Sequence, residues 1–391
     1  MTVLPVSRPA RAIHLLGAAL FVCLICLPLF DAVFHVAPEV NVMEAGPGPS
    51  PFEGHGPAGV LRAFNILRGG YLEKAFGFRK LLVKYENYLN YCLLGSSTAD
   101  LSVVAGPGGW LFLARENPEL NTVEDYRGTR LFTPQELAAW TAEFAARRDW
   151  LAARGIPYLV VLAPNKQTIY PEKLPARYNQ VGPATRTDQL LAALTGAGVA
   201  VLDLRPLLLD LKKTAQAYYR TDSHWTPVGA RAAAGDILAA LARQLPGLDT
   251  TLPADLETVA APGVGGDLAA MLGLGDCFDE DKFILVPKGG FQAVRGDASG
   301  LAGPRDVNPA DVFERPGSGL PRAVIFRDSF GQDLLPFLSE HFSRVVYQWP
   351  FPSTAQAPRR FDRELILAEK PDVVVDEIVE RYFTVPLAAT R

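Results

Sequence analysis

The chain has 391 residues, 49% of them hydrophobic and 20% charged, with a formal net charge of −4. That composition belongs to a folded protein with a large core and argues against disorder or a fibrous repeat. No run of Lys or Arg is longer than a pair. A surface that must neutralise a row of phosphates needs more, so nucleic acid is excluded as a partner.

From Ala12 to Phe30 no side chain carries a formal charge. As a helix this run spans about 28 Å, close to the hydrocarbon thickness of a bilayer. Arg8 and Arg11 precede it and Asp31 follows, which predicts a cytoplasmic N-terminus and an exported body. A cleaved signal peptide is the alternative, but the run is long for one and no A-x-A site follows. Residues 1–35 are therefore expected to be an N-terminal membrane anchor. Cys23 and Cys26 lie inside the run as small apolar residues. Cys92 and Cys277 are left as a pair that an oxidising compartment would allow to join.

Residues 36–60 hold Pro38, Pro47, Pro49, Pro51 and Pro57 among glycines and read as a linker. Residues 61–391 are expected to form the catalytic domain. Residues 61–95 read as amphipathic helix. Gly106-Pro107-Gly108-Gly109 turns the chain into the apolar stretch Trp110–Leu113. Thr133-Pro134-Gln135-Glu136 is an N-cap, a first-turn proline and a capping-box Glu, and predicts a helix to about Arg154. Short apolar strands follow at 158–162, 199–202, 323–326, 345–347 and 373–375. Helices are expected at 187–196, from Pro206, and from Thr226-Pro227 to about Arg243. Strands alternating with helices predict a parallel sheet covered by helices on both faces. Residues at about 245–320, rich in Gly, Pro and Asp, break the rhythm and read as a loop-rich insertion.

The chain has five histidines. His14 lies in the apolar run, and His35 and His55 flank the linker. His341 is about 18 Å along one helix from Ser329, too far for a hydrogen bond. His224 remains, in Tyr219-Arg220-Thr221-Asp222-Ser223-His224-Trp225-Thr226-Pro227, where open α/β sheets build their sites. A packed loop histidine is the plain alternative. Asp222, two residues away, has the right chemistry to fix the imidazole tautomer. The second segment is Phe326-Arg327-Asp328-Ser329-Phe330-Gly331, a strand-to-helix turn that presents a serine hydroxyl at the sheet edge. An ordinary N-cap is its plain alternative. Asp328 reads as a turn residue. Asn165 could donate to an oxyanion and Lys166 could hold a substrate carboxylate, or both could belong to a turn. Arg381 and Tyr382 could line the pocket, with an ion pair to Glu377 the simpler use of the arginine. There is no H-E-x-x-H, zinc-spaced Cys/His cluster, P-loop or G-x-G-x-x-G, so neither a metal nor a nucleotide cofactor is expected.

Asp-x-His-Trp after Tyr-Tyr-Arg, followed by Asp-Ser-Phe-Gly after an apolar strand, resembles the alginate O-acetyltransferase family (AlgJ/AlgX-like). Gly109–Leu113, Pro164-Asn165-Lys166, Tyr170-Pro171-Glu172, Gly266-Asp267-Leu268 and the segment Glu377–Tyr382 extend the resemblance over roughly residues 70–385. It implies an SGNH-hydrolase-like α/β fold with the Asp-His pair ahead of the Ser. Ser329 then matches the nucleophile, His224 the base and Asp222 its orienting acid. Arg327 stands where these folds usually carry a glycine. The resemblance also implies a polysaccharide acceptor, a membrane-bound O-acyltransferase as acetyl supplier, and a periplasmic domain on an inner-membrane anchor at residues 12–30. Hydrolysis by the same residues, or an inactive glycan-binding scaffold, would use the same fold.

Overall fold

The computed structural model describes residues 8–34, 36–38, 60–62, 64–66, 76, 78–94, 102–115, 120–261, 265–299, 301, 310–351 and 359–385. The chain divides into two compact units, residues 1–98 with 270–275, and residues 99–269 with 276–391. Residues 61–98 thus fall in the first unit, and the unit that carries the chemistry begins later than composition suggests.

In the first unit Arg8–Phe34 and Arg79–Leu94 are helices. Leu15, Leu16, Leu20, Phe21 and Val22 are exposed on the earlier one. Among the described residues no helix is long and apolar enough to cross a membrane. Most of the expected linker, and much of the helix expected over 61–95, lies outside the described residues. Cys92 and Cys277 are both exposed, and no disulfide joins cysteines among the described residues.

The strands of the second unit, in chain order, are β1 (Val103–Ala105), β2 (Leu111–Leu113), β3 (Tyr158–Ala163), β4 (Val201–Asp203), β5 (Leu256–Ala261), β6 (Lys282–Pro287), β7 (Val294–Arg295), β8 (Asp311–Glu314), β9 (Arg322–Phe326), β10 (Arg344–Gln348) and β11 (Val373–Val379). Seven of them form one sheet in the order β4-β3-β11-β9-β10-β8-β7. The first five in that order run parallel, and β8 and β7 add on antiparallel. The sheet is therefore mixed rather than wholly parallel, and its antiparallel edge comes from the segment expected to be loops. The same segment folds β5 against β6 as a separate hairpin.

The sequence signals act where they stand. Thr133 accepts from the Glu136 N–H while Glu136 reaches back, closing the capping box of helix Pro134–Ala152, which buries Trp140, Phe144 and Leu151. Thr226 caps helix Pro227–Ala242, whose alanines are buried against the sheet layer. β3 is buried at all six positions, as a central strand covered on both faces must be. β11, at the centre of the sheet, is buried at all seven and yet carries Asp376 and Glu377.

Asp376 is 1% exposed. It accepts from Arg147 Nη1 at 2.7 Å and Tyr158 Oη at 3.0 Å, and pairs with Arg359. Removing one partner of a buried pair strands the other charge. Asp376→Asn should therefore lower stability by about 3–5 kcal/mol in urea unfolding monitored by tryptophan fluorescence. A loss below about 1 kcal/mol would mean that the site hydrates and that the pairs behave as surface ones.

Candidate active site

The loop that carries His224 is tied at both ends. Tyr218 and Trp225 bridge across its base, and Trp225 is fully buried. Lys166, one residue after Asn165 at the exit of β3, points its ammonium into the loop. Its Nζ donates to the carbonyls of Tyr219 at 3.1 Å, Arg220 at 3.0 Å and Asp222 at 2.6 Å. All three donors of an ammonium are then used. Burial pushes its pKa down to about 8, against the pull of Asp267, Asp222 and Glu280. Lys166 is thus a post for the loop, and the expected role of meeting a substrate carboxylate has no donor left to serve it. Glu280 holds the loop from the other side, accepting from the Thr221 N–H at 2.9 Å and from the Thr221 hydroxyl. Gly266 packs directly on Asp222: a Cβ there would lie 2.4 Å from the Asp222 Cβ. That close approach is the reason for glycine ahead of Asp267.

Asp222 Oδ1 accepts from His224 Nδ1 at 2.8 Å and from the His224 N–H at 3.1 Å. Its Oδ2 accepts from Lys282 Nζ at 2.6 Å and from the Asp267 N–H at 3.3 Å. Burial opposes charge on Asp222, but His224 and Lys282 outweigh it and hold its pKa far below the carboxylate range. A second carboxylate stands close: Asp267 Oδ2 is 3.5 Å from His224 Nδ1 and accepts from the Ser223 hydroxyl at 2.5 Å. Burial, then the Asp222 charge, raises the Asp267 pKa. For His224, burial alone would lower the pKa. The hydrogen bond to Asp222 and the charges of Asp267 and Asp222 reverse that and raise it, while Arg381 pulls the other way. With Nδ1–H committed to Asp222, the lone pair sits on Nε2, which is shielded and has no hydrogen-bond partner. Asp222, His224 and Asp267 lie close enough to offer ligands to a cation. The Lys282 ammonium already supplies positive charge at Asp222 Oδ2.

Ser329 opens a 3-10 turn, Phe330–Leu334, directly after β9. Asp328, fully buried, shapes that turn as expected: Oδ1 accepts from the Phe330 N–H at 3.0 Å and Oδ2 from the Val379 N–H at 2.7 Å. Gly331 must be small, because a Cβ there would sit 2.5 Å from the Arg327 Cβ. The Phe330 ring packs on His224 and on Trp225, with centroids 5.0 Å away in each case. Ser329 Oγ accepts from Arg381 Nη2 at 3.1 Å. The hydrogen bond of a nucleophile to its base is not made between Ser329 and His224 Nε2 in this state.

Asp222, His224, Lys282, Arg327, Ser329 and Asp333 line one cleft of about 660 Å³. Burial raises Asp333 to about 6. Arg327 is on the wall, bound to Asp311 at 2.7 Å and stacked near Trp349. Asn165 is buried at the end of β3 with its N–H on Glu380, and Tyr382 is buried against Phe351; neither is among the residues lining the cleft. His341 donates through Nδ1–H to the Asp249 carbonyl at 2.7 Å, and its segment is three short helical pieces rather than one helix. Sequence reasoning missed Lys282 and Asp333 and set Arg381 aside. Lys282 ends the charged run Asp279-Glu280-Asp281-Lys282 and Arg381 follows Glu380, settings that read as ordinary surface in the sequence.

Residues 103–287 match the family described as SGNH hydrolase-like domain, acetyltransferase AlgX, a match that ends before Ser329. The probable alginate O-acetylase AlgJ of Pseudomonas syringae pv. tomato is 28% identical over 186 residues, 48% of this chain and 44% of that protein. The alginate biosynthesis protein AlgX of Pseudomonas aeruginosa is 35% identical over 169 residues, 42% of this chain and 32% of that protein. The chain spans about half the length of the curated relatives it matches. The structure of Bacillus cereus PatB1 with a sulfonyl adduct superposes with a TM-score of 0.50 at 16% identity, covering 73% of this chain and 99% of that one. That likeness concerns the fold alone. The sequence matches show that residues 103–287 are similar to the SGNH hydrolase-like domain of AlgJ/AlgX-like proteins.

Proposed function

We propose that this protein is a serine O-acetyltransferase that moves an acetyl group through Ser329 onto hydroxyls of an exported polysaccharide. One observation carries the reading: Ser329 and the Asp222–His224 pair, distant in sequence, line the same cleft, and the imidazole nitrogen that faces no partner is the basic one. His224 Nε2 takes the Ser329 proton as Oγ attacks the acetyl carbonyl. The tetrahedral intermediate collapses to acetyl-Ser329, and the leaving group receives the proton. A sugar hydroxyl, deprotonated by His224, then attacks the ester and regenerates Ser329. Asp222 keeps the tautomer and stabilises the imidazolium. The names of the AlgJ and AlgX relatives point to alginate as the acceptor class, and we extend that to this chain. A membrane-bound O-acyltransferase as acetyl supplier, and an inner-membrane anchor at residues 12–30 with the domain in the periplasm, complete the reading. The anchor rests on the uncharged run and its flanking arginines.

Three outcomes test it. An alkaline phosphatase reporter fused after Arg391 should be active in cells; a silent reporter would remove the exported location. Incubation with 4-nitrophenyl acetate should add one acetyl mass to the wild type and none to Ser329→Ala. Ser329→Ala and His224→Ala should each cost on the order of 10⁴-fold in turnover or more, and the double variant little beyond either, because such groups work as a unit. Oligosaccharide that discharges the acetyl group faster than water marks a transferase, and discharge indifferent to acceptors marks an esterase.

The pH profile gives the third. His224 must be neutral to take a proton, so kcat/KM should fall as pH drops through a midpoint above the ordinary histidine value. Asp222→Asn removes the hydrogen-bonding carboxylate that raises it. The midpoint should then move down, with residual activity lower by on the order of 10⁴-fold. An unmoved midpoint would show that another group sets the limb.

A further inference from the structure

Acyl transfer through a serine needs a donor for the oxyanion that forms when Oγ bonds the carbonyl carbon. Neither Arg327, beside the serine turn, nor Asn165, first suspected for that task, supplies it. Arg327 spends Nη2 on Asp311 and Nη1 on the Asp328 carbonyl at 3.3 Å. Asn165 lies outside the cleft lining. The side-chain donor that reaches the reacting atom is Arg381, 3.1 Å from Ser329 Oγ.

Its placement is determined by the fold. Arg381 follows β11 in the 3-10 turn Glu380–Thr384 and is 5% exposed. Its guanidinium lies 5.2 Å from the ring centroid of Phe330 and 5.2 Å from that of Tyr382. Two rings thus hold the fork in position, and a guanidinium keeps its charge at any working pH. The Ser329 N–H, which finds no acceptor among the described residues, adds a backbone donor beside it.

We propose that Arg381 is a catalytic residue of this reaction, holding Ser329 Oγ in the resting enzyme and then stabilising the oxyanion of the tetrahedral intermediate. This rests on the serine reading above. As the Oγ–carbon bond forms, the Ser329 proton passes to His224 Nε2 and the carbonyl π pair moves onto oxygen. Oγ and the oxyanion are then substituents of one carbon, closer to each other than the length of a hydrogen bond. A donor already on Oγ needs only a small shift to meet the oxyanion, and its five N–H groups allow it to hold both. Collapse restores the carbonyl, breaks the bond to the leaving group and returns the His224 proton to that group. The same charge bears on the base: it counters the pull of Asp222 and Asp267 that favours imidazolium before attack.

The test uses the full chain and 4-nitrophenyl acetate as the probe. Arg381→Met should lower kcat by about 10²–10³-fold with KM changed little, the loss typical of one oxyanion donor. Arg381→Lys should recover part of it, and guanidinium chloride at millimolar levels should speed Arg381→Ala but not the wild type. The affinity of a boronic acid, which forms an anionic tetrahedral adduct on the serine, should fall in parallel with kcat. If Arg381→Met fails to fold, Arg381→Lys and its boronate affinity decide. A kcat within about threefold of wild type in the folded variants, or a rise in KM alone, would overturn the role of Arg381 while leaving Ser329 in place. Full turnover by Ser329→Ala would instead overturn the serine reading, and this inference with it.

Discussion

The Phe330 ring is the contact on which the site depends. His224 and Asp222 come from the loop before helix Pro227–Ala242, and Ser329 comes from the exit of β9, about a hundred residues later in the chain. Phe330 is fully buried, its ring packs near Tyr218, His224 and Trp225, and the Arg381 guanidinium lies 5.2 Å from its centroid. It immediately follows Ser329, so the ring packed on the imidazole is covalently next to the proposed nucleophile. The distance between Ser329 and His224 is thereby a packing distance, and packed interiors resist small displacements. Orientation of this kind is a large share of what a protein contributes to a two-step transfer.

A second constraint is the handling of buried carboxylates, and three solutions occur within one unit. Asp376 is charged and answered by two arginines. Asp222 is charged and answered by His224, Lys282 and backbone N–H groups. Glu377 is different. Burial, and after it the charge of Asp328, push its pKa well above the ordinary value. Its Oε2 accepts from the Asp328 N–H at 3.0 Å, under the Ser329 turn.

Much of the scaffold was legible because local chemistry decides it. Thr133, Pro134 and Glu136 need no tertiary partner to start a helix, and a run such as Tyr158–Ala163 has few options other than a buried strand. His224 and Ser329 were legible for a related reason: His224 lies two residues before the Thr226 cap and Ser329 three residues after β9, and Asp222 is two residues from His224. What escaped depends on distant partners. Residues 245–320 look like loops because glycine, proline and aspartate crowd the stretches between their strands. Yet β8 pairs with β10, β6 carries Lys282 to Asp222, and Gly266 is small because Asp222 is there. Lys166 shows the limit most plainly. An exposed-looking lysine after a strand reads as a substrate binder, and only the three carbonyls it meets reveal a buried post.

The order of the site along the chain differs from its order in space, and the sheet explains why this is harmless. β11 is last in sequence and central in the sheet, flanked by β3 on one side and β9 on the other. Parallel strands deliver their C-terminal ends to the same edge whatever their order in the chain. Lys166 after β3, Ser329 after β9 and Arg381 after β11 therefore converge without any continuous motif. The cost is kinetic: β3 cannot complete its pairing until a strand some two hundred residues later arrives, the kind of non-local contact that slows folding. It follows that Asp328 Oδ2, Asp328 N–H and Ser329 Oγ obtain their partners only when the C-terminal strand inserts. The geometry of the candidate site is thus coupled to completion of the core, and a chain that has not closed its sheet presents Ser329 without the groups that orient it.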